Sequence, residues 1–308
     1  MFPADDVANE ESAFLSIFVT GSESFIGRAL LSRCHTQGID ATGIDAAAPN
    51  TATSKRADIR DLEIADLIPH GATVVHLAAV SRDPDCRADP RNAFDINVNG
   101  TLNVAAAAQR RAASQLIFAS SEWVYGDVRN DEIQREDRPI DVTAMKSEYA
   151  LSKIVGEQLL KLTCALPAVT VLRFGIVYGP RTSNWAAVES LFNATRTQDE
   201  ITIGSAATAR RFIHVGDIAS GILASVGRSG FEVFNLSGDR PITLGEVIES
   251  SARMHGRRVR IVESNPAQPS VRNPDNAKAR AELGWKPAFD IEAGLADLKA
   301  FFEASGRG

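Results

Sequence analysis

Short apolar runs rich in Val, Ile and Phe alternate with helical patterns through the first half of this chain, and that alternation narrows the possible folds. Residues 15–20, 41–45, 73–77, 115–119 and 169–174 read as strands, and residues 25–36, 90–111 and 145–162 as helices. Strands alternating with helices make βαβ units, whose parallel strands are covered on both faces. The expected fold class is α/β, a doubly wound parallel sheet. A length of 308 residues suits one large domain of this kind, or one with a smaller lobe.

After Pro180 the pattern changes. Helical stretches at 188–197, 215–225, 244–255 and 291–304 surround a short apolar run at 232–236 and a Pro-rich loop at 265–274. Residues 14–180 are therefore read as the main domain. Residues 181–308 are read mainly as a smaller C-terminal lobe with some segments returning to the core, and residues 1–13 as an N-terminal extension.

The formal net charge of −6 argues against non-specific nucleic-acid binding, which needs a basic surface. Three scattered cysteines, Cys34, Cys86 and Cys164, suggest neither a disulfide framework nor a metal site and point to a reducing, cytoplasmic setting. No run approaches the length of a membrane span, and the acidic start lacks the features of a signal peptide.

The run from Ile17 to Gly27 reads as strand, tight turn and helix start. Such a turn aims backbone N–H groups and the positive helix end at a phosphate. Gly21 permits the turn and Gly27 close helix–strand packing, while Ser24 stands where a third glycine is usual. Asp45 ends the next strand at the spacing of a carboxylate that binds an adenosine ribose, which favours NAD over NADP. A turn-forming role for Asp45 is the alternative. Asp58 and Ile59 would flank adenine, or Asp58 would cap a helix that begins at Arg60.

Tyr149 and Lys153 lie four apart in a helical segment, hence on one face. A neighbouring ammonium, or a cationic nicotinamide ring, favours the phenolate and makes the pair a proton shuttle for an alcohol. Ser121 follows the strand at 115–119, where catalytic groups of parallel sheets gather. Each feature alone also fits an ordinary exposed side chain or loop start.

Together with His76-Leu77-Ala78-Ala79, Asn97-Val98-Asn99-Gly100-Thr101, Val124-Tyr125-Gly126, Leu172-Arg173, Val177-Tyr178-Gly179-Pro180-Arg181, Arg211-Phe212-Ile213-His214-Val215, Asp217 and Glu282-Leu283-Gly284-Trp285, these residues resemble the extended short-chain dehydrogenase/reductases. The resemblance is to their NAD-dependent epimerase/dehydratase group, of the UDP-glucose 4-epimerase kind, over roughly residues 15 to 304. It implies a Rossmann-type NAD-binding domain and a substrate-binding lobe. It further implies that Gly21, Ser24, Phe25, Ile26 and Gly27 contact the pyrophosphate and that Asp45, Asp58 and Ile59 serve the adenosine. Leu77, Ala78, Ala79, Asn97, Ala119 and Phe174 would line or order the cofactor groove. Ser121, Tyr149 and Lys153 would form the catalytic set, Tyr149 and Lys153 also touching NAD. Ser81, Ser121, Glu122, Trp123, Tyr149, Arg181 and Arg210 would meet the substrate. A homodimer paired through the helices at 90–111 and 145–162 is part of the expectation.

Four departures bear on the substrate. Ser24 replaces the middle glycine, Ile176 an asparagine, and Arg211 an aspartate; an Arg-Pro-Gly-Asp element is missing before Lys278-Ala279. Arg181, Arg210, Arg211 and Arg272 remain as candidate anion ligands. In the related 4,6-dehydratases the stretch after the serine supplies an acid and a base. Here Glu122 fits the acid, but Trp123 occupies the base position and would stack on a sugar instead. The favoured activity is a sugar or nucleotide-sugar epimerase working through a transient keto intermediate. The alternatives are an NAD-dependent dehydrogenase or reductase of a sugar or sugar acid, then a dehydratase or a non-catalytic NAD sensor.

Overall fold

The computed structural model describes residues 15–47, 50–129, 132–182 and 186–306. The expected extension at 1–13 lies outside the described residues. Six strands come from the first half: β1 (Ser16–Thr20), β2 (Asp40–Asp45), β3 (Ser54–Arg56), β4 (Thr73–His76), β5 (Gln115–Ser121) and β6 (Ala168–Phe174). A seventh, β7 (Gly230–Leu236), joins the edge beside β6. The order is β7-β6-β5-β4-β1-β2-β3, every pair parallel, with the switch of direction beside β1. This is the Rossmann-like doubly wound sheet expected, but the run at 232–236 belongs to the sheet rather than to the lobe.

The two-residue period of the strands builds two cores. Phe18, Val74, Leu116, Phe118 and Val171 face one way; Ile17, Val19, Val75, Ile117 and Leu172 face the other. The second face is covered by α1 (Phe25–Thr36) through Leu30 and Cys34. The first is reached through α2 (Asp83–Ala88) and α3 (Pro90–Phe94), whose N-cap Asp89 accepts from Asn92 N–H. A π-helical turn, Asp95–Gly100, then leads into α4 (Thr101–Arg110). The single long helix expected over 90–111 is thus broken by a wider turn. Val104, Ala107 and Ala108 of α4 bury against the sheet, as does Leu160 of α5 (Glu148–Thr163).

In the second half, α6 (Ala187–Thr197) belongs to the lobe, while α7 (Val215–Ala224) packs on α1 and returns to the sheet core through Ile218 and Ile222. The lobe core joins Val188 and Phe192 of α6, Val247 and Ile248 of α8 (Leu244–Met254), and Leu295 and Leu298 of the last helix. The helix α9 (Ala277–Leu283) returns to the sheet through Ala279, and α10 (Ile291–Ala304) closes the lobe. A parallel ladder of Glu200–Ile203 with Arg260–Glu263 lies in this second half. In α10 the backbone passes so close to Tyr178 that a Cβ on Gly294 would fall 1.9 Å from its hydroxyl.

One buried ion pair fixes α5 to the sheet. Arg173 of β6 donates through Nη2 to Glu157 Oε2 at 2.7 Å and through Nε to Oε1 at 3.1 Å, both side chains almost wholly buried. Ser120 Oγ donates to the same carboxylate, and Arg173 Nη1 reaches the Tyr125 hydroxyl at 3.2 Å. Tyr125 in turn donates to Asn235 of β7 at 2.7 Å. A buried charge left without its partner is far more costly than the pair. Glu157→Leu is therefore expected to lower unfolding free energy by about 3–5 kcal/mol, and Glu157→Leu/Arg173→Met by less than that. Urea denaturation of both variants checks the order.

Candidate active site

The C-terminal ends of β1, β2, β4, β5 and β6 open into one cavity of about 920 Å³. Ligands of open parallel sheets bind at this edge, at the point where strand order reverses. One end is walled by Gly21, Ser24, Phe25, Ile26, Asp45, Asp58 and Ile59; the other by Ser121, Trp123, Tyr149, Lys153 and Phe174. Leu77, Ala78, Ala79 and Ala119 run between them, with Ser81, Arg181 and Arg210 also on the wall.

At the first end, Gly21 turns at φ +74°, and a Cβ there would sit 2.8 Å from the Ala78 nitrogen. Gly27 does not form the wall: its hydrogen faces Gly21 O, where a Cβ would lie at 2.2 Å, so it serves helix–strand approach. Ser24 is the N-cap of α1; its Oγ accepts from Gly27 N–H at 3.0 Å. The remaining first-turn amides, of Phe25 and Ile26, have no intrahelical acceptor by construction and belong to residues on the wall. Asp45 is held by N–H groups of Glu23 at 3.1 Å and Ala47 at 2.9 Å. Asp58 pairs with Arg60 and accepts from its N–H; this side-chain bond, the largest influence, holds the Asp58 carboxyl below its usual range. A first turn able to receive a phosphate beside a carboxylate for a ribose fits a dinucleotide.

At the other end, Tyr149 and Lys153 project from one face of α5 onto the wall that Ser121 also lines. Burial pushes the Tyr149 phenol up to about 12, opposed by the Ser121 side chain. The same burial pushes the Lys153 ammonium down to about 8. Lys153 Nζ lies 4.9 Å from the Phe118 ring centre and 5.9 Å from that of Tyr149. The lowering expected from the neighbouring ammonium is not among the influences on the phenol: desolvation dominates, and Ser121 alone opposes it. Cys86, beside Val80, adds no negative charge at neutral pH, because burial raises its thiol.

Several sequence expectations move. Asn97 is buried off the wall: its amide donates to Val80 O at 2.9 Å and Ser152 Oγ at 3.0 Å, and its oxygen accepts Val80 N–H at 2.8 Å. It braces the backbone of Val80, which is on the wall. Glu122 is also off the wall, because the 3-10 turn Glu122–Tyr125 puts Trp123 toward the cavity and Glu122 into the protein. Both its carboxyl oxygens are buried with no hydrogen-bond partner among the described residues. Burial lifts this carboxyl to about 7, opposed by Arg272 and Arg210. Arg211 turns inward to Asn273, Gly238 O and Asp275. Arg272 lies 4.6 Å from the Trp123 ring centre, off the wall. Residues given no role at the site by the sequence include Val80, Ile96, Thr208, Phe212 and Leu244, which also line the cavity. Of these, only Phe212 lies in a motif, the Arg211-Phe212-Ile213-His214-Val215 stretch.

Comparison with known proteins agrees with this geometry. Residues 17–237 match the NAD dependent epimerase/dehydratase family. A putative UDP-glucose 4-epimerase of Methanocaldococcus jannaschii is 29% identical over 300 residues, spanning 91% of this chain and 95% of that protein. A UDP-glucuronate 4-epimerase of Thermodesulfobacterium geofontis is 30% identical over 232 residues, 73% of this chain and 70% of that one. The solved structure of MoeE5 in complex with UDP-glucuronic acid and NAD superposes with a TM-score of 0.83 at 25% identity, covering 94% of this chain and 99% of that one.

The state of Glu122 has a consequence for stability. Its folded pKa, about 7, stands above the ordinary 4.5, so between those values the folded protein holds a proton the unfolded chain has released. Stability should then fall as pH rises through that window, by up to roughly 1.4 kcal/mol per unit. Glu122→Gln is expected to flatten the slope, as read from urea midpoints at pH 5, 6 and 7.

Proposed function

Because the chain belongs to the NAD-dependent epimerase/dehydratase family, we propose that it is an NAD-dependent nucleotide-sugar epimerase, acting at a ring hydroxyl through a keto sugar. The observation that carries this is one continuous cavity with a dinucleotide-shaped end and a Ser121–Tyr149–Lys153 end, bordered by lobe residues. NAD, when bound, supplies a hydride acceptor and donor and, oxidised, a positive charge.

Tyr149 takes the proton of the hydroxyl as the carbon gives up hydride, and the C=O bond forms. Ser121 shares the hydrogen bond and keeps the hydroxyl in line. Lys153 favours the phenolate once further positive charge offsets the burial that now holds the phenol protonated. Return of hydride to the opposite face of the carbonyl, with the Tyr149 proton going back to oxygen, gives the epimer and leaves no net redox change. Trp123 offers an apolar face to the sugar. Withdrawal of Glu122 from the wall removes the acid that the stretch after Ser121 would supply for eliminating water, which supports epimerisation over dehydration.

The division into a dinucleotide-binding domain to about residue 180 and a lobe beyond it, with β7, α7 and α9 returning to the sheet, belongs to the same proposal, as does a cytoplasmic homodimer. A net sugar oxidoreductase is the second reading. It is favoured by the absence of Arg211 and Arg272 from the cavity wall, Arg211 being bonded to Asn273.

Purified protein given UDP-glucose or UDP-glucuronate and no added coenzyme is expected to interconvert 4-epimers without accumulating NADH. Tyr149→Phe should lower kcat by about 10²–10⁴-fold with little change in substrate affinity. Product analysis by NMR and near-ultraviolet absorbance separates the readings: stoichiometric NADH favours the oxidoreductase, and no conversion across UDP-, GDP- and dTDP-sugars sinks the epimerase.

A further inference from the structure

We propose that Arg181 is a ligand of the dinucleotide pyrophosphate, held over the first turn of α1 by Glu189. The inference rests on the NAD dependence of the family and not on which sugar is turned over.

Arg181 follows the short strand Val177–Tyr178, at the start of the lobe, yet it leans on the dinucleotide end of the cavity. Its guanidinium carbon lies 4.4 Å from the ring centre of Phe25, the first residue of α1. Both residues wall the same cavity, as do Gly21, Ser24 and Ile26. The contact places the Arg181 charge beside the first turn of α1, where an anion would be received.

The side chain is braced from behind. Its Nε donates to Glu189 Oε1 at 2.7 Å, and the same oxygen accepts the Gly179 N–H at 3.3 Å. Glu189 is wholly buried on the first turn of α6. Burial pushes its carboxyl up, and Arg181 opposes that push. An arginine held at Nε by a buried acid and set against an aromatic ring loses little freedom when an anion arrives.

The turn itself gives a reason for the extra cation. Ser24 Oγ takes the Gly27 N–H within the helix cap. That donor is spent internally, which leaves a smaller amide cradle than a bare first turn would offer. A guanidinium at the rim replaces the missing positive potential. It also links cofactor to lobe, since Glu189 sits beside Val188, a member of the lobe core.

The test compares two diphosphates by calorimetry: NAD for the cofactor end and UDP for the substrate end. Arg181→Gln is expected to weaken NAD binding at least about tenfold, with UDP affinity unchanged. Arg181→Lys should lose less, because it keeps the charge without the fork. Since Arg181→Gln leaves a buried acid unpaired, Arg181→Gln/Glu189→Gln removes both charges and should show the same NAD-selective loss. Unaltered NAD affinity, a loss confined to UDP, or equal losses for both would overturn the assignment. Wild-type protein that bound NAD but not UDP would count against the nucleotide-sugar reading and leave the NAD comparison standing.

Discussion

Behind the reacting end, a carboxylate and a guanidinium are held together away from water. Glu157 and Arg173 make two hydrogen bonds to each other, and Ser120 and Tyr125 attach β5 and the turn after it to the same pair. Glu157 stands four residues after Lys153 and eight after Tyr149 on α5. All three therefore lie along one face. Once Glu157 is anchored to β6, the rotation of α5 is set, and with it the aim of the phenol and the ammonium. Residues next along β5, at Ser121, and next along the turn, at Trp123, meet that face because the same network locates them. The pair's contribution is geometric more than energetic, since an apolar replacement of similar volume can be as stable.

The site so located is protonated in a way that suits storage rather than reaction. Desolvation keeps the Tyr149 phenol neutral to about pH 12 and draws the Lys153 ammonium down to about 8. The low dielectric that causes both shifts also strengthens any charge brought in from outside. A cation entering the cavity acts on Tyr149 with little screening. Burial thus makes the residue's basicity conditional on what else the cavity holds.

Much of this was legible in the sequence wherever the signal was local. Alternating apolar runs gave the strands, the Gly21–Gly27 interval gave the turn, and the four-residue spacing of Tyr149 and Lys153 gave a shared face. What stayed hidden depends on partners distant in sequence. Asn97 sits in a stretch suggestive of cofactor contact, but Val80 and Ser152 take its amide. Glu122 and Trp123 are adjacent, and only the hand of the 3-10 turn decides which one meets the cavity. Arg211 reads as a candidate anion ligand until Asn273 and Asp275 are seen against it. The strand Gly230–Leu236 reads as part of the lobe because its pairing partner, β6, lies more than fifty residues upstream.

The π-helical turn at Asp95–Gly100 carries a consequence for how such a chain tolerates change in length. A π turn holds one residue more than the α-helical turn it replaces. Because the extra residue is taken up within one turn, the helical segments on either side stay in phase, and deleting it would close an ordinary turn without rolling α4 on the sheet. What such a deletion would redraw is local, the backbone that holds Asn97 between Val80 and Ser152. The turn is a buffer for chain length, placing an additional residue at the groove while the core beneath it keeps its register.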